Sequence, residues 1–140
     1  MQANEMQANE NEVKLLNKWK ARLGLYDWRI ELRTKMKPQD MIMENVAGCT
    51  DWSESIKTAR IEIIDPEYYG ERIVPFDFEK TLIHELLHLK FSFWCQGTND
   101  IADRAMHQII DDLARAFVDC NGETRPIYYA LEDKQNENAR

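Results

Sequence analysis

Cysteine and histidine are both scarce in this chain, with three of each. The cysteines, Cys49, Cys95 and Cys120, are widely spaced and form no Cys-x-x-Cys pair. This pattern is typical of reduced thiols rather than of a disulfide framework. The sequence also lacks a signal-peptide pattern and an apolar run of about eighteen residues, so we expect a cytoplasmic protein that does not cross a membrane.

A surplus of positive charge is absent as well. The formal net charge is −7 at pH 7, whereas domains that bind nucleic acid usually carry a basic patch. The charge therefore argues against nucleic acid as a partner, although it leaves room for a local basic groove. With 140 residues, of which 44% are hydrophobic, the chain is long enough for one domain with a sizeable core.

What the chain does contain is a His-Glu-x-x-His motif within residues 81–89. On a helix, residues four apart share one face and lie roughly 6 Å apart along the axis. His84 and His88 can then bind one Zn²⁺ through ring nitrogens. Glu85 leans toward the same face, where it can take a proton from a metal-bound water and return it to a leaving group.

The residues around the motif predict a buried helix. Asp77 is a suitable N-cap, and the helix that follows is apolar nearly all round. Two histidines and a glutamate would be costly in such a helix without partners, which favours a functional site. The alternative is a pair of core histidines beside an exposed glutamate. The apolar residues are Leu82, Ile83, Leu86, Leu87, Leu89, Phe91, Phe93 and Trp94.

The remaining histidine, His107, is the candidate third ligand. It lies in residues 100–118, which read as an amphipathic helix, on one stripe with Asp103 and apolar residues. We therefore expect His107 to face inward, and a core histidine is the alternative. Asp103 is an alternative ligand one turn earlier, and Asp111 is a candidate to orient His107 by accepting a hydrogen bond from its second ring nitrogen.

The rest of the chain predicts an α+β fold. Helical spacing from Glu10 to Leu23 predicts a first helix that Gly24 ends. Alternating polarity predicts strands at residues 27–34, 45–52 and 58–64, with Gly48 at a bulge. We expect residues 1–10, a direct repeat of Met-Gln-Ala-Asn-Glu, to be disordered and residues 132–140 to form a polar tail, which leaves a domain at residues 11–131.

The chain resembles the zincin metallopeptidases, in particular the small single-domain type found in phages and prophages, which is related to SprT-like and minimal gluzincin domains. The resemblance spans residues 28–118, and its specific part is His84-Glu85-Leu86-Leu87-His88. Two departures bear on the subfamily. His107 stands where gluzincins have a glutamate, as in the SprT-like arrangement, and the glycine and third histidine that metzincins carry soon after His88 are absent. The other matching segments are Trp28-Arg-Ile-Glu-Leu32, Ala59-Arg-Ile-Glu-Ile63 and residues 107–114.

The resemblance implies a zincin-like single domain. Its small three- or four-stranded sheet would pack on the N-terminal helix, the buried motif helix and a following ligand-bearing helix. It also implies a Zn²⁺ cofactor held by His84, His88 and His107, Glu85 as catalytic base and acid, and a peptide or protein substrate. Residues 46–52 would be the strand that binds the substrate, the alternative being an ordinary edge strand.

Two further expectations concern activity. Tyr68 or Tyr69, in the loop before the motif helix, is a candidate donor to an oxyanion, although tyrosines in such loops more often serve packing. The expected function is that of a zinc-dependent metallopeptidase. The alternatives are a zinc-containing phage–host interaction module without catalytic activity and an SprT-like protease associated with DNA, which the acidic balance disfavours.

Overall fold

A computed structural model describes residues 7–95 and 100–120 of the chain. The fold is α+β, as the sequence predicts, with helices packed around a small mixed sheet. Two short 3₁₀ turns, Pro38–Asp40 and Pro66–Tyr68, join the larger elements. In chain order these elements are α1 (Glu10–Arg22), β1 (Arg29–Met36), β2 (Gly48–Ser53), β3 (Thr58–Ile64), α2 (Phe78–Lys90), α3 (Ser92–Cys95) and α4 (Asp100–Cys120).

Helix α1 is defined by its caps. The Asn9 side chain accepts from the backbone N–H of Glu12, and the Glu12 side chain accepts from the backbone N–H of Asn9, at 2.8 and 3.0 Å. This reciprocal pair is a capping box. At the other end Gly24 has φ +70, a conformation that disfavours side chains, which confirms its predicted place after the helix.

The segment before α1 belongs to the fold. Gln7 forms an antiparallel bridge with Arg33, and the backbone N–H of Ala8 donates to the carbonyl of Leu32 at 3.3 Å. The prediction of disorder over residues 1–10 is therefore wrong for residues 7–10, because pairing with β1 holds Gln7 and Ala8, and Asn9 and Glu10 begin helix α1. Residues 1–6, the segment at 121–131 and the predicted tail at 132–140 lie outside the described residues.

The sheet has the order β1-β3-β2, with β1 parallel and β2 antiparallel to β3. Strand β3 matches its predicted bounds. Strand β1 begins and ends two residues later than predicted, so Leu32, Thr34 and Met36 supply its buried positions, while Trp28 is buried just ahead of it. Strand β2 begins at Gly48 rather than at residue 45 and forms one edge of the sheet.

Gly48 serves helix packing and not a bulge. The pairing of β2 with β3 is regular from Gly48 opposite Ile63 onward, so the predicted bulge is absent there. A Cβ atom added at Gly48 would lie 2.8 Å from Cγ2 of Thr81 and 3.3 Å from Cγ of Glu85. Glycine is therefore required because the motif helix approaches the strand backbone at this point.

Helix α2 occupies the centre of the molecule, as predicted. Asp77 caps it by accepting from the backbone N–H of Lys80 at 3.0 Å, and Leu82, Ile83 and Leu86 are fully buried. Helix α4 packs against α2 through a stripe in which Ile110, Ala114 and Val118 are buried. None of the helices in the described part of the chain is both long and apolar enough to cross a membrane.

Candidate metal centre

Three histidines meet where α4 crosses α2. His84 and His88 come from successive turns of α2 and His107 comes from α4, and one ring nitrogen of each lies within 4.8 Å of the others. The ring centroids are 5.1 Å apart for His84 and His88, and 4.8 Å apart for His88 and His107. His107 is exposed, so the expectation that it faces an apolar interior is wrong, since its ring lies at the solvent side of the cluster.

The cluster fits a zinc ion with a small adjustment. Tetrahedral Zn²⁺ with Zn–N distances of about 2.0–2.1 Å places its nitrogen ligands roughly 3.4 Å apart. The imidazoles would therefore close by about an ångström, a movement within the range of their side-chain torsions. Three imidazoles with room for a fourth ligand are the donor set of catalytic zinc sites.

The electrostatics favour neutral imidazoles. Burial, together with the neighbouring His84 and His107, lowers the pKa of His88 to about 4. Burial also lowers the pKa of His84, although the carboxylate of Asp111 opposes this effect. Both rings are therefore neutral at pH 7, and neutral imidazole is the state that binds a metal ion.

Glu85 lies beside the histidines in a dry environment. It is only 5% exposed, which contradicts the alternative of core histidines beside an exposed glutamate. Burial raises the pKa of Glu85 to about 7, even though the hydroxyl of Thr50, which donates to Oε1 at 2.9 Å, opposes this rise. A carboxyl group with a pKa near neutrality can both accept and release a proton at pH 7.

Asp111 contacts a different histidine from the one predicted. Its Oδ1 lies 3.5 Å from Nδ1 of His84 and 3.4 Å from Nζ of Lys80, and its Oδ2 lies 3.1 Å from Arg115. The expected role of orienting His107 is therefore wrong. The reason is the packing of the two helices. It places Asp111, one turn after His107 on α4, beside Lys80 and His84 on α2. Burial alone would raise the pKa of Asp111, but Lys80, His84 and Arg115 hold it below its usual range.

The other candidate side chains lie at the margin of the site or outside it. Asp103 lines the same cleft but is not in the three-histidine group. The hydroxyl of Tyr69 also faces the cleft, where it donates to the carbonyl of Val74 at 2.8 Å. Tyr68 is 43% exposed and is not among the residues that line the cleft. The structure thus brings neither hydroxyl to the histidines as a free donor.

The cleft in front of the histidines has a volume of about 690 Å³. Strand β2 borders it opposite α4, with α2 beneath. Sequence reasoning did not single out Thr50, which donates a hydrogen bond to Glu85, or Trp52, whose ring is stacked on His88 with centroids 6.5 Å apart. Lys80 and Arg115 were also missed. Only the alternation along β2, which places Gly48 and Thr50 on one face, could have pointed to Thr50.

Comparison of the chain with protein-family models, with curated proteins and with solved structures finds no match. The geometry of the cleft is therefore the basis for assigning a function.

Proposed function

We propose that the protein is a zinc-dependent hydrolase with a zincin-like fold, and specifically a metallopeptidase that acts in the cytoplasm. One observation carries the proposal. A buried carboxyl group with a pKa near neutrality, that of Glu85, lies beside three imidazoles that can share one metal ion. A site that only stores a metal needs the imidazoles, whereas a hydrolytic site also needs the proton carrier.

His84, His88 and His107 would hold the ion. When bound there, Zn²⁺ supplies Lewis acidity, which lowers the pKa of a water from about 15.7 to about 7 and polarises a carbonyl group. Oδ1 of Asp111 lies 3.5 Å from Nδ1 of His84, a position from which it would hold the ring proton on Nδ1 and leave Nε2 as the ligand atom.

Glu85 moves the proton. Thr50 occupies Oε1 of the carboxylate, so we assign proton transfer to Oε2. This oxygen takes a proton from the attacking water and passes it to the leaving amine. The enclosure that raises the pKa of Glu85 also makes the carboxylate a stronger base than it would be in water.

The substrate would be an extended peptide. Within the described residues strand β2 lies at the edge of the sheet, and the cleft is lined by Gly48, Cys49, Thr50 and Trp52. An exposed edge can pair with a further strand through its backbone groups. Such a strand would run past Glu85 and the histidines.

The first test is the metal content of purified protein, measured by elemental mass spectrometry after zinc is supplied. We expect one zinc per chain in the wild type and in Glu85→Gln. A protein that binds no metal under these conditions would refute the proposal at its first step.

The second test is hydrolysis of a labelled unstructured protein by the same two preparations. We expect Glu85→Gln to lose about 10²–10⁴-fold in rate, the usual contribution of a general base. Equal turnover in both would exclude the role of Glu85. Zinc binding without turnover in the wild type would favour a metal-containing interaction module.

A further inference from the structure

Two basic side chains in the cleft contact the same carboxylate near the first turn of α2. Lys80 and Arg115 both line the cleft, and both contact the single carboxylate of Asp111, at 3.4 and 3.1 Å. Two cations therefore share one anion. The carboxylate of Asp77, which accepts from a backbone N–H as the cap of α2, also lines the cleft.

Asp111 is shared with the metal centre as well. Nδ1 of His84 lies 3.5 Å from the oxygen that Lys80 also approaches. Charge-assisted hydrogen bonds from nitrogen are usually about 2.7–2.9 Å long, so neither contact to this oxygen is a tight one. Lys80 has three hydrogen-bond donors and Arg115 has five, whereas the carboxylate of Asp111 has about four acceptor sites. The two cations therefore have more donors than this carboxylate can accept from.

The two cations lie on the same two helices as the histidines, with Lys80 on α2 and Arg115 on α4. Lys80 lies four residues before His84, a rise of about 6 Å along the helix axis, and its side chain is only 18% exposed. In a partly enclosed cleft the interaction between charges is stronger than in bulk water. The protein as a whole has a formal net charge of −7, so two cations in contact with one carboxylate are a local arrangement.

We propose that Lys80 and Arg115 form a carboxylate-binding subsite beside the histidine cluster, and that the substrate carries a carboxylate close to the bond that is cleaved. This inference rests on the proposed function. An extended peptide rises about 3.3 Å per residue, so the separation of one helical turn corresponds to a carboxylate one or two residues from that bond. An acidic side chain and a free C-terminus both supply this chemistry.

The first experiment is a cleavage profile. Wild type, Lys80→Met, Arg115→Met and the control Arg104→Met, whose site lies on the same helix outside the cleft, are incubated with a peptide mixture, and the products are sequenced by mass spectrometry. We expect the wild type and Arg104→Met to prefer bonds with a carboxylate within two residues. The two cleft variants should lose about tenfold in this preference, the scale of one charge-assisted hydrogen bond, while they continue to cleave other bonds.

The source of the carboxylate is distinguished with matched peptides. One set carries glutamate and an amidated C-terminus, and the other carries a free C-terminus and neutral side chains. Preference for the first set identifies an acidic side chain, and preference for the second identifies a C-terminus. Cleavage without either preference, or a preference that persists in both cleft variants, overturns the proposal.

The second experiment does not depend on hydrolysis. Glutarate and N-acetylalanine are titrated into zinc-treated wild type and Lys80→Met, and backbone amide shifts are followed by NMR. We expect saturable shifts at residues 80, 111 and 115 in the wild type and about tenfold weaker binding in the variant. Unchanged spectra, or equal affinities, overturn the subsite. If binding is observed but no peptide is cleaved, the subsite stands and the proposed hydrolase is refuted.

Discussion

The two helices that carry the histidine cluster are built in different ways. Helix α2 packs against α1, β2, β3 and α4, and most of its residues are buried. Helix α4 is longer, yet its buried residues are Ile110, Ala114 and Val118, on a single stripe. The candidate metal centre therefore has two histidines on a helix that the core surrounds, and one histidine whose position depends on the interface between α2 and α4.

The largest expected effect concerns metal affinity. His88→Ala leaves ligands on two different helices, whereas His107→Ala leaves the pair on adjacent turns of the buried helix. Loss of a group that merely orients a ligand costs about 10–100-fold in metal affinity. We expect His88→Ala, which removes a ligand itself, to lower zinc affinity by more than about 100-fold, and His107→Ala to lower it less. Competition with a zinc chelator measures both. Equal losses would show that α4 holds its ligand as firmly as α2 does.

The next comparison tests the packing of the two helices directly. Leu86 in α2 is fully buried and Ile109 in α4 is 50% exposed. Leu86→Ala should lower the free energy of unfolding by about 2–5 kcal/mol, because it leaves a cavity, and Ile109→Ala by less than about 1 kcal/mol. Urea denaturation provides the values. A large loss for Ile109→Ala would mean that this face of α4 is covered in solution.

A pH dependence follows from the buried carboxyl group of α2. The pKa of Glu85 is raised from 4.5 to about 7 in the fold. Its contribution to stability is therefore fully present below pH 4.5 and is lost as the pH rises through 7. In metal-free protein, Glu85→Gln should abolish this loss and gain up to about 3 kcal/mol relative to the wild type between pH 4.5 and 8.

Thermal or urea unfolding across that pH range measures the difference between the two proteins. The lowered pKa values of His84 and His88 have the opposite effect. They reduce the free energy of unfolding of the protein as the pH falls below about 6.5, the ordinary pKa of histidine. Both proteins share this effect, so it cancels in the comparison. A difference that does not change with pH would show that Glu85 is solvated.

The last prediction concerns the contact between α2 and strand β2 and its effect on the free energy of unfolding. Gly48→Ala places a Cβ atom 2.8 Å from Cγ2 of Thr81, and such overpacking costs about 1–3 kcal/mol. The double variant with Thr81→Ser, which removes that methyl group, should recover part of the stability. If Gly48→Ala is harmless, α2 can move away from β2 without cost.

Much of the fold could be predicted because its signals are local. The cap at Asp77, the buried motif helix, the end of α1 at Gly24 and the bounds of β3 depend on residues within a few positions of one another. The errors have a common cause in contacts between distant segments. Strand pairing fixes Gln7, helix packing explains Gly48, and strand β1 is displaced by two residues because its burial depends on its neighbours.

The sequence by itself placed the two histidines and the glutamate of the motif together, since residues at helical spacing share one face wherever that helix lies. It also nominated His107, as a histidine on a second amphipathic helix. The tertiary structure alone decided which groups surround them. The crossing of α4 over α2 placed Asp111 beside His84, and the position of β2 gave Glu85 its hydrogen bond from Thr50. These contacts join segments far apart in the chain, and periodicity within one segment carries no information about how two segments cross.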